Sequence, residues 1–311
     1  MSSETRAFHH SRLDPSEASP QNLEVPEHID IESNGVRLHT VLAGPGEGPP
    51  LILLHGFPEF WYGWRHQIGP LARAGYRVIV PDQRGYNLSD KPAGVRDYRG
   101  EALVADLLGL MQALKLQRTS LIGHDWGAAV AWWAASAHPD RIERLAILNV
   151  PHPKVMARAF RTSWRQRLRS WYIAFFQLPR VPELMLRAAG FAGMKAALRR
   201  SARSGTFSAA ELNTYRQAWA QPGALTAMLN WYRAAARYRP RISLQGKIQV
   251  PTLMIWGARD IALGLELSQA SIELCERGRL VVLEEATHFV QHDAAGEVNR
   301  LLLEFLSEEN P

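Results

Sequence analysis

The most informative stretch of this 311-residue sequence is Leu121-Ile122-Gly123-His124-Asp125-Trp126-Gly127. An apolar run typical of a buried strand ends in a short turn, and a helical pattern begins directly after it. Glycines stand two residues before and two residues after Asp125, which permits a sharp turn that projects one side chain from the end of the strand. The plainer interpretation is that Asp125 only caps the following helix. The partner motifs described below favour the projecting side chain.

A strand, turn and helix with this glycine spacing resemble the nucleophile elbow of the α/β-hydrolase fold, which usually presents a serine. Here the projecting residue is Asp125. A carboxylate is ionised at pH 7 and can attack a saturated carbon to form an alkyl ester. It suits acyl transfer poorly, because the product would be an anhydride. We therefore expect Asp125 to be the nucleophile of a reaction at a saturated carbon.

Strand and helix patterns alternate along most of the chain. Helical patterns, such as 100–114 and 294–306, separate short runs of β-branched residues and leucine. This alternation predicts an eight-stranded, mostly parallel sheet with helices on both faces, and its first two strands form a hairpin at Ser33-Asn34-Gly35. The predicted strands are His28–Glu32, Arg37–Ala43, Leu51–Leu54, Arg77–Pro81, Thr119–Ile122, Leu145–Asn149, Pro251–Trp256 and Arg279–Leu283.

Two segments depart from the alternation. Residues 1–24 lack periodicity and predict a flexible N-terminal tail. Residues 153–243 contain helical patterns punctuated by prolines but no convincing strand, so they predict a helical cap. The cap is inserted between the two parts of an α/β-hydrolase core, 25–152 and 244–311.

The composition excludes several classes of protein. Hydrophobic residues make up 46% of the chain, which excludes wholesale disorder. The lone Cys275 cannot form an internal disulfide or a thiolate metal site, as expected in a reducing compartment. No apolar run is long enough to be a transmembrane segment, and the first residues lack the apolar core of a signal peptide. We therefore expect a cytoplasmic protein without a bound metal.

The net charge of +6 is unevenly distributed. The segment from Lys154 to Arg241 contains 17 Lys and Arg residues but only two acidic residues, Glu183 and Glu211. Its net charge is therefore +15, and the rest of the chain carries −9. Such a segment attracts anionic lipids, anionic substrates or an acidic protein surface. A solvated arginine-rich helical surface is the plainer interpretation. No nucleic acid partner is expected, because the basic segment contains no recognisable nucleic-acid-binding motif.

Two later strand ends supply an acid and a histidine. Asp260 follows the seventh predicted strand, and His288 follows the eighth. The order nucleophile, acid, histidine is that of the α/β-hydrolase fold. We expect His288 to deprotonate a hydrolytic water, and Asp260 to orient the imidazole and stabilise its protonated form.

Other residues are weaker choices for these two roles. His124 and Asp293 are alternatives, and His292 is expected at the surface, one helical turn beyond His288. Some related enzymes carry the acid after the sixth strand, but Asn149 stands there and cannot serve as an acid.

The loop after the third strand reads His55-Gly56-Phe57-Pro58. In the α/β-hydrolase fold this loop supplies one backbone N–H of an oxyanion hole, and the residue after the nucleophile supplies the other. Phe57 and Trp126 are therefore the expected donors to the oxyanion that forms when water attacks the ester.

Taken together, the run H-G-F-P-E-F-W-Y-G-W-R, the run G-H-D-W-G-A and the late Asp260 and His288 resemble the soluble epoxide hydrolases, over about residues 25–308. The resemblance implies a reaction without a cofactor, in which two cap tyrosines donate hydrogen bonds to the epoxide oxygen while an aspartate opens the ring. Water then releases a vicinal diol. The matching positions are Tyr172 and Tyr232, with Tyr215 as the alternative to Tyr172.

The substrate implied is a small hydrophobic epoxide, because aromatic residues are frequent in the cap and the adjoining loops. The residues expected to line its pocket are His55, Pro58, Trp171, Phe175, Phe176, Trp231 and Phe289.

Two other functions compete. Haloalkane and haloacid dehalogenases use the same aspartate, but Phe57 stands where the former often carry a second halide donor. Trp126 and Ala129 stand where fluoroacetate dehalogenases carry arginines. A non-catalytic small-molecule binding protein on the same fold is the second alternative. A homodimer is expected from the frequency of dimers alone.

Overall fold

The computed structural model describes residues 26–308, so the predicted tail at 1–24 lies outside the described residues. One eight-stranded sheet runs through it, in the order β1-β2-β4-β3-β5-β6-β7-β8. The first strand pairs with the second in antiparallel register, from Glu27 opposite Leu42 to Ser33 opposite Val36, which confirms the predicted hairpin. β2 is also antiparallel to β4, and every later pair is parallel.

The eight strands lie where the apolar runs predict them, and their ends differ by at most three residues. They are β1 (Glu27–Ser33), β2 (Val36–Ala43), β3 (Pro50–Leu54), β4 (Arg77–Pro81), β5 (Thr119–His124), β6 (Ile142–Leu148), β7 (Thr252–Gly257) and β8 (Gly278–Leu283). The predicted α/β-hydrolase fold class is confirmed.

Helices cover both faces of the sheet, and six of them lie between β6 and β7. The helices are α1 (Arg65–Arg73), α2 (Gly100–Ala113), α3 (Trp126–Ala137), α4 (Pro153–Thr162), α5 (Trp164–Arg169), α6 (Trp171–Phe175), α7 (Val181–Arg200), α8 (Ala209–Trp219), α9 (Ala224–Arg237), α10 (Glu266–Ile272), α11 (Val290–Asp293) and α12 (Ala295–Ser307). Within α7 the backbone leaves the helical conformation at 188–191. Over residues 26–308, every helix is too short or too polar to span a bilayer.

The core lies on the two faces of the sheet, because side chains alternate along each strand. In β3, Leu51 and Leu53 pack in the cluster that includes residues of α1 and α12. Ile52 and Leu54 pack in the larger cluster, with residues of α2, α3 and the helices between β6 and β7. All four side chains are buried.

Side-chain hydrogen bonds fasten the helices between β6 and β7 to the core. The Tyr215 hydroxyl donates to Glu59 Oε1 (2.7 Å), and Trp219 Nε1 donates to the Pro58 carbonyl (2.6 Å). Trp231 Nε1 donates to the carbonyl oxygen of Arg84 (3.0 Å). Because the acceptors follow β3 and β4, helices α8 and α9 lie over the carboxyl ends of the strands.

Candidate active site

Asp125 lies at the tight turn between β5 and α3. Its φ is 47° and its ψ is −123°, a conformation that non-glycine residues rarely adopt. A Cβ on Gly127 would overlap the carbonyl oxygen of Leu54, and a Cβ on Gly123 would overlap the backbone of Ala128. Both glycines are therefore required for the close approach of α3 to β3 and β5. The turn presents the Asp125 carboxylate at the carboxyl end of the sheet.

Backbone donors lie beside this carboxylate. The Phe57 N–H donates to Asp125 Oδ1 at 2.6 Å. Trp126 is the first residue of α3, so its backbone N–H has no partner within the helix. The structure thus places the N–H of Phe57, one expected oxyanion donor, on Asp125 Oδ1, and leaves the N–H of Trp126, the other expected donor, without a partner in the helix.

His288 and Asp260 reach Asp125 from the ends of β8 and β7. His288 Nε2 lies 3.6 Å from Asp125 Oδ2, and His288 Nδ1 lies 2.8 Å from Asp260 Oδ2. Both residues are buried, with about 7% and 6% of their surface exposed. The three residues expected to form a catalytic triad are therefore in contact.

Four donors satisfy the Asp260 carboxylate. Its Oδ1 accepts from the backbone N–H groups of Ala262 (2.7 Å) and Leu263 (2.9 Å). Its Oδ2 accepts from Asn149 Nδ2 (2.9 Å) as well as from His288. The sequence predicts only that Asn149 cannot serve as the acid after the sixth strand. It follows β6 directly, and this position at a neighbouring strand end is the signal that places it beside Asp260.

The charges of His288 and Asp125 stabilise each other. Burial lowers the pKa of His288, but Asp260 and Asp125 outweigh it and raise that pKa to about 10. Burial raises the pKa of Asp125, but the hydrogen bond and charge of His288 bring it below the ordinary value. At neutral pH the site therefore holds an imidazolium between two carboxylates.

Tyr172 on α6 and Tyr232 on α9 line the same cavity as Asp125, with their ring centroids 5.9 Å apart. Burial, and then the charge of Asp125, raises the pKa of both hydroxyls above the ordinary value. Both tyrosines therefore stay protonated and can donate hydrogen bonds. Tyr215, the alternative, is fully buried and bonded to Glu59, so Tyr172 and Tyr232 are the pair that lies at the cavity.

Two chambers meet at these residues, because Asp125, Tyr172 and Tyr232 line both. The first, which we call the α4 chamber, has a volume of about 570 Å³ and further walls that include Trp133, Val150, Met156, Phe160 and Leu244. The second, the α7 chamber, has a volume of about 700 Å³ and further walls that include Leu168, Leu186, Met194, Leu198 and Ile261. The carboxylate therefore lies between two largely apolar spaces.

The α7 chamber includes most of the residues that the sequence predicts in the pocket: Pro58, Trp171, Phe175, Phe176 and Phe289. His55 and Trp231 lie behind the walls instead. The ring of His55 is fully buried, and its Nε2 accepts from the Gln83 N–H at 3.0 Å. Trp231 is turned into the core by its bond to Arg84. Aromatic residues suit a pocket and a core equally well, so the residue type alone could not distinguish these positions.

The expectation that His292 lies at the surface is wrong. Its side chain is fully buried, and its Nε2 lies 2.7 Å from Glu59 Oε1. Glu59 also accepts from Tyr215 and from Gln291 Nε2 (2.9 Å). Burial raises the pKa of Glu59, but His292 and His124 outweigh it and hold that pKa well below its usual range.

Glu59 is the residue that sequence reasoning missed. It is linked to His288, the expected base, through His124, whose Nδ1 lies 3.3 Å from Glu59 Oε2 and whose Nε2 donates to the carbonyl oxygen of His288 at 2.9 Å. An acidic residue within the aromatic run after β3 was the available signal, because a charge in such a run needs buried partners.

Comparisons with known proteins identify the relatives of this chain. The family model described as alpha/beta hydrolase fold matches residues 49–295. The AB hydrolase superfamily protein YfhM of Bacillus subtilis is 46% identical over 282 residues, which cover 90% of this chain and 97% of that protein. Epoxide hydrolase A of Mycobacterium tuberculosis is 36% identical, and the match covers 89% of this chain and 96% of that protein.

The chain is also similar to solved structures. A crystal structure of an epoxide hydrolase variant from Bacillus megaterium, complexed with its diol product, superposes with a TM-score of 0.82 at 31% identity. The match covers 90% of this chain and all of that one.

Proposed function

We propose that this chain, which belongs to the epoxide hydrolase family of the α/β-hydrolase superfamily, adds water to an epoxide to give a vicinal diol through an ester on Asp125. The observation that carries the proposal is the placement of Asp125. Its carboxylate lines the same cavity as two protonated tyrosines, and a histidine paired with a second carboxylate lies beside it.

In the first step, Asp125 Oδ2 attacks an oxirane carbon, because the N–H of Phe57 already occupies Oδ1. The new C–O bond forms as the bond from that carbon to the oxirane oxygen breaks. Tyr172 and Tyr232 donate hydrogen bonds to this oxygen, and one of them gives it the proton that makes it a hydroxyl. The product is an ester of Asp125 with a 2-hydroxyalkyl group.

Ester formation prepares the second step. The ester is neutral, so one of the two negative charges that raise the pKa of His288 is lost. The imidazolium then gives up its proton, which passes through solvent to the tyrosine that protonated the oxirane oxygen, and neutral His288 can act as a base. Asp260 keeps the imidazole oriented, since it is held by Asn149 and two backbone N–H groups.

Water completes the cycle. His288 takes a proton from the water, whose oxygen adds to the carbonyl carbon of the ester. The N–H groups of Phe57 and Trp126 stabilise the negative charge on Oδ1. When this intermediate collapses, the ester C–O bond breaks, His288 returns its proton to the departing oxygen, and the diol leaves. The new carboxylic acid of Asp125 then gives its proton to His288, which restores the carboxylate and the imidazolium.

The test is product analysis of the purified protein with trans-stilbene oxide, styrene oxide and a bromoalkane, with Asp125→Ala as the control. We expect diol from an epoxide and none from the variant. Absence of both diol and bromide would contradict the proposal and favour a non-catalytic binding protein on the same fold.

One observation favours a second candidate, dehalogenation. The indole N–H of Trp126 is buried next to Tyr232 and makes no hydrogen bond of ordinary geometry within residues 26–308. Such a donor can bind a halide ion released by attack of Asp125 on a carbon–halogen bond. Bromide release that falls in Trp126→Phe, without diol from any epoxide, would support this function.

A further inference from the structure

Exposed apolar side chains surround the outer end of the α7 chamber. Trp171 is 63% exposed, Leu168 is 62% exposed and Ile261 is 56% exposed, and all three line that chamber. Trp164, which is 60% exposed, lies one helical turn before Leu168 on α5. We call these four residues the mouth patch. Large apolar side chains that are exposed together mark a site of association.

Arginines surround the mouth patch. Arg165 and Arg169 lie on α5, Arg161 lies near the end of α4 and Arg200 ends α7, and all four are exposed. Arg169 and Arg200 also line the α7 chamber. Within residues 26–308, none of the four forms a salt bridge, unlike Arg233 of the same segment. Their positive charge is therefore available to a partner.

No acidic side chain between residues 154 and 241 is left to offset this charge. That segment has two acidic residues, and each is paired with an arginine. Glu183 Oε1 lies 2.7 Å from Arg233 Nη1, and Glu211 Oε1 lies 2.6 Å from Arg65 Nη2. The surface around the mouth patch is thus both apolar and strongly cationic.

We propose that the mouth patch docks the protein on an anionic lipid surface, with the α7 chamber open toward the lipid. Tryptophan side chains are favoured at the boundary between head groups and acyl chains, and arginines bind the anionic head groups. A second copy of this chain fits less well, because a symmetric contact would place the same arginines against each other. An apolar substrate dissolved in the lipid would then enter the chamber without crossing water.

Docking goes beyond the proposed function and is measured without catalysis. The purified protein is sedimented with vesicles of equimolar phosphatidylcholine and phosphatidylglycerol, and with vesicles of phosphatidylcholine alone. We expect strong binding only to the anionic vesicles, and weaker binding at high salt. Arg161→Gln with Arg165→Gln should weaken binding about fivefold for each arginine removed. The matched control, Arg73→Gln with Arg96→Gln, changes two exposed arginines outside the segment and should bind as the unchanged protein does.

The apolar contribution is tested separately. Trp164→Ser should weaken binding to the anionic vesicles, whereas Leu88→Ser, at a leucine that is 45% exposed outside the patch, should not. Equal thermal unfolding midpoints would show that the variants remain folded. Equal binding to both kinds of vesicle, or to neither, would overturn the proposal. So would a dimer in solution that Trp164→Ser converts to monomers, because the patch would then join two copies of the chain.

Discussion

At the scale of single residues, the site is a balance of three charges. His288 lies between Asp125 and Asp260, and its imidazolium is stabilised most strongly while both are carboxylates. The proposed ester changes one of those charges, so the same histidine serves as a cation before ring opening and as a base after it. Two measurements follow from this balance.

The first concerns the covalent intermediate. In His288→Gln the side chain cannot take a proton from water, while Asp125 keeps its bond from Phe57. We expect ring opening to continue and hydrolysis of the ester to slow by at least about 100-fold. Intact mass measurement after incubation with styrene oxide should show one added substrate mass. The double variant with Asp125→Ala should show none, and an adduct that persists there would place the attachment elsewhere.

The second concerns stability and pH. The pKa of His288 is raised from an ordinary 6.5 to about 10 in the folded protein. Its contribution to the free energy of unfolding is therefore fully present below pH 6.5 and is lost as the pH rises toward 10. Urea unfolding should show stability falling over this range, by at most about 1.4 kcal/mol per pH unit from this group. His288→Gln should show a shallower decline, and equal slopes would contradict the argument.

At the scale of elements, the contact between α3 and β3 holds Asp125, the proposed nucleophile. The helix approaches the strand so closely that Gly127 lies against the carbonyl oxygens of Leu54 and His55. The same approach brings the loop after β3, with the N–H of Phe57, onto Asp125. The packing of two elements thus creates the carboxylate's hydrogen bond.

Gly127→Ala tests this contact. Its Cβ would overlap backbone atoms, which cannot move as a flexible side chain can, so we expect a loss of about 1–3 kcal/mol in the free energy of unfolding. The matched control is Gly46→Ala, because a Cβ there meets no atom within 4 Å. Its effect should stay within about 0.5 kcal/mol. Equal urea midpoints for the two variants would contradict the requirement for glycine in the turn.

At the scale of the whole molecule, the helices between β6 and β7 turn an open sheet edge into an enclosed site. They contribute Tyr172, Tyr232 and most of the walls of both chambers, while the core contributes Asp125 and its partners. Because the carboxylate lies between two chambers, a substrate with an apolar group on each oxirane carbon can fill both.

This arrangement is tested at Ala157, an exposed residue of α4 that lines the α4 chamber. Given the proposed function, Ala157→Trp should slow hydrolysis of trans-stilbene oxide at least about tenfold, because one phenyl group loses its place. Styrene oxide, with a single phenyl group, should react nearly as before in the α7 chamber. Ala210→Trp, on the exposed surface of α8, is the control. Equal losses for both epoxides would contradict a division between the chambers.

The sequence by itself determined the sheet, the tight turn at Asp125 and the selection of Asp125, Asp260 and His288 as residues that meet at one site. These depend on local patterns: alternation of apolar runs, glycines at fixed spacing, and polar residues directly after strands. The parallel sheet then brings those strand ends to one edge, so the three residues could be expected to meet.

Only the tertiary structure decided which partners surround them. That Asn149 holds Asp260, that His292 is buried against Glu59, and that Trp231 faces the core all depend on contacts between residues far apart along the chain. The same holds for the choice of Tyr172 over Tyr215. Helical periodicity identifies the side of a helix that is buried, but the neighbour it packs against is set by the three-dimensional fold.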